Sequence, residues 1–303
     1  MKLDFDTIII GAGVSGMTAA IYLKRAGINF LLLEQNYPGG QINRADKITN
    51  YPGIKEIDGP SFSMNLVEQL NELNIKIDYE QVLDIEDKNN YKIVKTNKNE
   101  YTTKTILLAT GRIPRELGLE NEKALIGRGI SWCASCDGNF YKGKDVAVVG
   151  GGNTAINDAL YLSNICNKVY VIHRRDKFKA DNISLEQAKN KENIEFIMNS
   201  NILELKNKDD RLFSIKLDNG SELVISGLFE AIGSIPNIEY IKSIEIQNDN
   251  GYLIVDENMQ TSIEGIYASG DAVKKDLYQL VNATGEGATA ANAIIKKLNK
   301  NQL

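Results

Sequence analysis

Residues 6–34 limit what this chain can fold into more than any other stretch. The apolar run Thr7-Ile8-Ile9-Ile10 has the character of a buried parallel strand, Gly11-Ala12-Gly13-Val14-Ser15-Gly16 is a glycine turn, and residues 17–26 read as a helix. Phe30-Leu31-Leu32-Leu33 is a second strand, and Glu34 ends it. In such a βαβ unit Gly11 permits the tight turn, Gly13 lets a pyrophosphate approach the backbone and Gly16 allows close helix packing. The helix N-terminus turns N–H groups toward the phosphates, and Glu34 stands where a carboxylate accepts ribose hydroxyls. An isolated GxGxxG is often only a glycine turn, but strand, helix, strand and acid in register point to dinucleotide binding.

The pattern recurs at 145–173. Asp145-Val146-Ala147-Val148-Val149 is a strand, Gly150-Gly151-Gly152-Asn153-Thr154-Ala155 the turn, residues 156–163 a helix and Val169-Tyr170-Val171-Ile172 the next strand. Gly150, Gly152 and Ala155 take the places of the three turn residues. Where the first unit ends in an acid, this one ends in His173-Arg174-Arg175, with Lys179 four residues beyond. Cations at the ribose position pair with a 2′-phosphate, so NADPH is favoured over NADH; the alternative is a solvated basic turn.

Between the two units lies Trp132-Cys133-Ala134-Ser135-Cys136-Asp137-Gly138. The only other cysteine of the chain is Cys166, so a framework of structural disulfides is excluded by count. A zinc site needs three or four ligands, and neither a second cysteine pair nor a histidine pair is present, His173 being the only histidine. Two incidental core cysteines are the remaining alternative to a redox-active pair, Cys133 and Cys136, and no metal is expected. Cys166 reads as a small buried apolar residue.

At 303 residues, two domains are the starting expectation. A net charge of −5 argues against a general nucleic-acid or anionic-membrane surface. The apolar run at 7–10 is too short for a signal sequence or a membrane span, which points to the cytoplasm, where a disulfide is more often catalytic than structural. A helix is expected at 60–73. Ile106-Leu107-Leu108-Ala109-Thr110-Gly111 and Gly265-Ile266-Tyr267-Ala268-Ser269-Gly270-Asp271 each read as a strand ending in a turn. A helix at 285–297 would offer its N-terminus to negative charge on a reduced ring. This last strand and helix look like the missing half of the first domain. The expected fold is therefore α/β, two Rossmann-like nucleotide-binding domains with the second, 114–234, inserted into the first, 1–113 and 235–303.

The order GxGxxG, ATG, CxxCDG, GxGxxA, HRR, GD and GEGAxAA covers nearly the whole chain and closely resembles the low-molecular-weight thioredoxin reductases, class II pyridine nucleotide-disulfide oxidoreductases. The resemblance implies an FAD-containing homodimer. It assigns Gly11, Gly13, Gly16, Glu34, Gln41, Asn50, Asp271 and Gln279 to FAD, and Gly150, Gly152, Ala155, His173, Arg174, Arg175 and Lys179 to NADPH. Electrons would pass from NADPH through FAD and the Cys133/Cys136 dithiol to the disulfide of thioredoxin. Cys136 would face the flavin, Cys133 would attack the partner, and Asp137 would manage the thiol proton, a turn cap being its other reading. The high-molecular-weight disulfide reductases use a C-terminal histidine, and none follows His173.

Three positions depart from the family pattern: Lys179 stands for an arginine, Tyr278 for the arginine before Gln279, and Trp132 for a smaller residue or a tyrosine. A ferredoxin-dependent flavin thioredoxin reductase would lack the intact GxGxxA and HRR. A flavin NAD(P)H oxidase or a ferredoxin–NADP reductase of similar fold would not require the cysteines, and a redox sensor would bind nucleotide without turnover. Because Cys136 and Gly150 belong to one domain while disulfide and nicotinamide must meet the same flavin ring, the inserted domain is expected to rotate about linkers at 112–114 and 233–236 between half-reactions.

Overall fold

The computed structural model describes residues 2–45, 47–241 and 243–300. The chain divides into two compact units, Met1–Ile113 with Ile235–Leu303, and Pro114–Ser234. Residues 1 and 301–303, at the outer ends of the span expected for the first domain, lie outside the described residues.

In the first unit Phe5–Ile10 pairs in parallel with Phe30–Glu34 on one side and with Glu100–Leu108 on the other. Side chains alternate across a strand, so the continuous apolar runs supply two cores at once. Ile8, Ile10, Leu31, Leu33, Ile106 and Leu108 face one core. Ile9, Leu32 and Leu107 face the other, against Met17, Leu23 and Ile294 from the helices Val14–Arg25 and Leu280–Lys300. Each such fully buried side chain contributes roughly 1.5–3 kcal/mol. Glu100–Leu108 changes partners along its length: its first half pairs antiparallel with Lys92–Thr96, its last three residues parallel with Ile266–Ala268. The strand that follows the second unit in sequence thus completes the sheet of the first.

In the second unit five strands run in the order Ile194–Met198, Lys168–His173, Asp145–Gly150, Gly227–Ala231 and Ile130–Ser131, all parallel. Val146, Val148, Val169 and Val171 face the helix Asn153–Ser163. Ala147, Val149 and Ile172 face an antiparallel sheet, Ile202–Lys208, Arg211–Leu217 and Glu222–Val224. The two linking segments, Arg112–Pro114 and Ser234–Pro236, pair as a two-stranded ribbon.

The last helix departs from expectation. It begins at Leu280, so Gly285 and Gly287 lie inside it. The reason is packing: a Cβ on Gly287 would stand 2.2 Å from Ser15 O, so the glycine brings this helix against the start of Val14–Arg25. A Cβ on Gly285 meets nothing within 4 Å. The two glycines should therefore respond oppositely to alanine. Gly287→Ala should destabilise by about 1–3 kcal/mol through overpacking, and Gly285→Ala should stabilise by roughly 0.5–1 kcal/mol through helix propensity. Urea midpoints of the two variants check this.

Candidate active site

The two glycine turns have the same build. At the first, Gly11 has φ +105°, and a Cβ there would meet Ala109 O at 2.5 Å; a Cβ on Gly16 would meet Gly11 O at 1.9 Å. Turn, strand end and helix start are in backbone contact that no side chain would allow. A Cβ on Gly13, by contrast, would stand in open space. Gly13 is the N-cap of Val14–Arg25, which has neither a side-chain cap nor an acid in its first turn. Its N–H groups and positive dipole end thus face a cradle of a kind that takes a phosphate.

Glu34 closes this turn. Its Oε2 accepts from Ala12 N at 2.8 Å and its Oε1 from Asn36 N at 2.9 Å. A carboxylate has about four acceptor positions, so two stay available for ribose hydroxyls. Glu34 lines a cleft with Gly11, Glu80, Thr110, Asn237 and Tyr240. Two other expected flavin residues meet directly, Asn50 Nδ2 donating to Gln279 Oε1 at 2.9 Å. Gln41 Nε2 donates to Arg112 O at 3.2 Å, and the Arg112 guanidinium pairs with Asp271 at 2.8 Å while lying 4.4 Å over the Tyr278 ring. Arg112 thus joins Gln41, Asp271 and Tyr278, a place that a reading of residue 112 as linker does not reveal. Glu286 lies in the GEGAxAA motif without an assigned role: it accepts from Gly270 N at 2.8 Å and pairs with Lys275, which fixes the turn before Asp271. The spacing there, Gly285-Glu286-Gly287-Ala288-Thr289-Ala290, repeats the GxGxxA of the second unit but says nothing of the glutamate's partners.

In the second unit a Cβ on Gly150 would meet Ala231 O at 2.4 Å and Ala155 Cβ at 2.9 Å, while one on Gly152 meets nothing within 4 Å. Asn153–Ser163, capped by Gly152, again starts without a side-chain cap or an acid. Arg174, Arg175 and Lys179 are exposed, on a loop tied to the turn by Lys179 N donating to Gly151 O at 2.7 Å. His173, by contrast, is buried. Its ring packs on Gly151, stacks on Phe178 at 5.0 Å between centroids, and bonds Lys177 O through Nε2 at 3.0 Å. The three cations are exposed, and His173 holds the loop in place through Lys177 O and Phe178.

Cys133 and Cys136 form a disulfide, with Cα atoms 5.3 Å apart. The pair follows the strand Ile130–Ser131, and Cys133 is the N-cap of the short helix Ala134–Asp137. Cys136 N donates to Cys133 Sγ at 3.2 Å. Cys133 is buried, at 8% exposure, and Cys136 is exposed. Ser131 Oγ donates to Asp137 Oδ2 at 2.6 Å and accepts from Cys133 N at 3.0 Å, which links Asp137 to the Cys133 backbone. Cys166 is buried, and burial pushes its thiol up to about 11, as expected of an inert core cysteine. Among the described residues no group of three or more His, Cys, Asp or Glu could hold a metal, and no helix is long and apolar enough to cross a membrane.

The model of the family described as pyridine nucleotide-disulphide oxidoreductase matches residues 5–287. The thioredoxin reductase of Bacillus subtilis (strain 168) is 37% identical over 295 residues, 96% of this chain and 93% of that one. That of Mycoplasma genitalium is 39% identical over 296 residues, 95% and 94% of the two chains. Among solved structures, the Lactococcus lactis thioredoxin reductase in the FR conformation superposes with a TM-score of 0.88 at 39% identity, covering 98% of this chain and 100% of the other.

The N–H of Cys136 aimed at Cys133 stabilises a thiolate there in preference to Cys136. In the Cys136→Ser variant, Cys133 should therefore alkylate at lower pH than Cys136 does in Cys133→Ser. Alkylation rates measured against pH check this.

Proposed function

This chain belongs to the pyridine nucleotide-disulphide oxidoreductase family, and from that membership we propose that it works as a thioredoxin reductase using FAD and NADPH. The observation that carries the reading is the Cys133–Cys136 disulfide in the same unit as the basic nucleotide loop. FAD and NADPH supply the hydride chemistry when bound, and the protein supplies position and electrostatics. The bare N-terminus of Val14–Arg25, Glu34, Gln41, Asn50, Asp271 and Gln279 hold FAD, together with Arg112. The N-terminus of Asn153–Ser163 takes the NADPH pyrophosphate, and Arg174, Arg175 and Lys179 take its 2′-phosphate.

Two electrons and two protons convert the disulfide to a dithiol. The Cys133 thiolate attacks one sulfur of the thioredoxin disulfide and releases the other as a thiolate. Cys136 then attacks Cys133 Sγ, which restores the disulfide and releases reduced thioredoxin. Asp137, which accepts from Ser131, takes and returns the thiol proton in this reading.

The residues assigned to FAD lie in one unit, and the cysteines and the NADPH residues in the other. One face of one ring has no room for both dithiol and nicotinamide, so turnover requires Pro114–Ser234 to rotate about the linkers at 112–114 and 233–236. The same reading makes the enzyme a cytoplasmic homodimer.

NADPH oxidation and thioredoxin thiols, measured together, test this reading, with reduced ferredoxin as an alternative donor and oxygen as an alternative acceptor. NADPH should reduce thioredoxin, and Cys133→Ser or Cys136→Ser should abolish it. Thioredoxin reduction from ferredoxin alone, or NADPH oxidation that needs neither cysteine and yields no thioredoxin thiols, would refute it. Arg174→Ala or Arg175→Ala should raise KM for NADPH by about 10- to 100-fold and leave KM for NADH little changed, since a charge-assisted hydrogen bond contributes roughly 1.5–3 kcal/mol.

A further inference from the structure

Immediately before the redox pair, Trp132 donates its indole N–H to Glu230 Oε2 at 2.8 Å. Glu230 is 4% exposed, on the strand Gly227–Ala231, between Asp145–Gly150 and Ile130–Ser131 in the second unit's sheet. Its Oε1 is buried and has no hydrogen-bond partner among the described residues. The charged groups acting on it are carboxylates: Glu122 most strongly, then Glu116. Its register neighbour Val149, on Asp145–Gly150, brings no charge.

Glu122 is itself 2% exposed. Its carboxylate accepts from Leu117 N at 2.7 Å, Gly118 N at 2.7 Å and Leu119 N at 2.8 Å. Three backbone N–H groups stabilise a carboxylate. Glu116 faces Lys123 at 3.9 Å on the surface. A second buried charge beside Glu122 is unfavourable, whereas a proton on Glu230 gives its orphaned oxygen a role as donor toward Glu122.

We infer that Glu230 is a positioning residue of the redox pair: carried as a neutral acid between Trp132 and Glu122, it fixes the segment that presents Cys133, and its ionisation makes the reactivity of Cys133 depend on pH. Burial first, and Glu122 next, push its carboxyl up to about 8. Below that pH Glu230 adds no charge to the site. Above it an anion appears next to the residue that precedes Cys133, where it disfavours a thiolate. The folded chain keeps this proton after the unfolded chain has lost it, so this group's contribution to stability falls as pH rises from the ordinary carboxyl range to about 8.

Trp132 is the only tryptophan of the chain, so indole fluorescence reads the pair directly. With the disulfide closed neither Cys133 nor Cys136 titrates, and in the oxidised protein emission should titrate with a midpoint near pH 8. Glu230→Gln is the fixed neutral form: the amide accepts from Trp132 and donates to Glu122. It should abolish the titration. In reduced Cys136→Ser, the alkylation profile of Cys133 should show a second bend near pH 8, which Glu230→Gln removes. Emission flat between about pH 6 and 9, a titration that survives Glu230→Gln, or a Cys133 profile indifferent to it would each overturn the inference. Only the role of Cys133 as attacking sulfur rests on the proposed function. None of these measurements uses NADPH or thioredoxin, so a chain that titrates in this way but reduces no thioredoxin would fail that function alone.

Discussion

Everything at both nucleotide sites depends on backbone meeting backbone at the ends of parallel strands. Gly11 against Ala109, Gly16 against Gly11 and Gly150 against Ala231 are approaches that a single methyl group would close. Because they are that tight, the helices behind them start within reach of the strand ends, with N–H groups that no side chain among the described residues caps. A parallel sheet puts all these ends on one edge, and the edge becomes a row of oriented dipoles. The specific residues, Glu34 in one unit and the 174–179 loop in the other, then only need to reach a position that the backbone has already set.

The second unit shows how one sheet can serve two kinds of chemistry. The central strands carry the nucleotide turn at one end, and a neighbouring short strand, Ile130–Ser131, runs directly into the cysteines. Ser131, Trp132 and Asp137 tie that segment down through hydrogen bonds to side chains rather than through sheet pairing. A four-residue helix has little stability of its own, so these bonds decide where the sulfurs stand.

What was legible in the sequence was whatever local pattern decides. The runs at 7–10 and 145–149, their glycine turns and the acid or cations after the next strand need no tertiary knowledge, and the α/β class with a parallel sheet follows from them. Ile202–Lys208 was not legible, because only Ile202 and Leu205 of its side chains are buried and the rest of the strand reads as polar loop. The start of the last helix was misplaced because glycine usually marks an end, whereas Gly287 is there for contact with Ser15. The roles of Arg112, Glu286 and the Glu122–Trp132–Glu230 group were invisible for a third reason. Their meaning comes from partners far away in the chain and from burial, and neither leaves a spacing to read.

The strand Ile266–Ala268, which completes the first unit's sheet beside Glu100–Leu108, has a consequence during synthesis. The ribosome delivers the whole of the second unit before it delivers that strand. At about 5–20 residues per second, the edge at Ile106–Leu108 waits on the order of ten to thirty seconds for its partner. The second unit has all its strands in one continuous segment and is able to fold in that interval. The nascent chain therefore carries a finished unit beside an unfinished one, and the apolar edge left open in the first unit's sheet is the natural place for a chaperone to act.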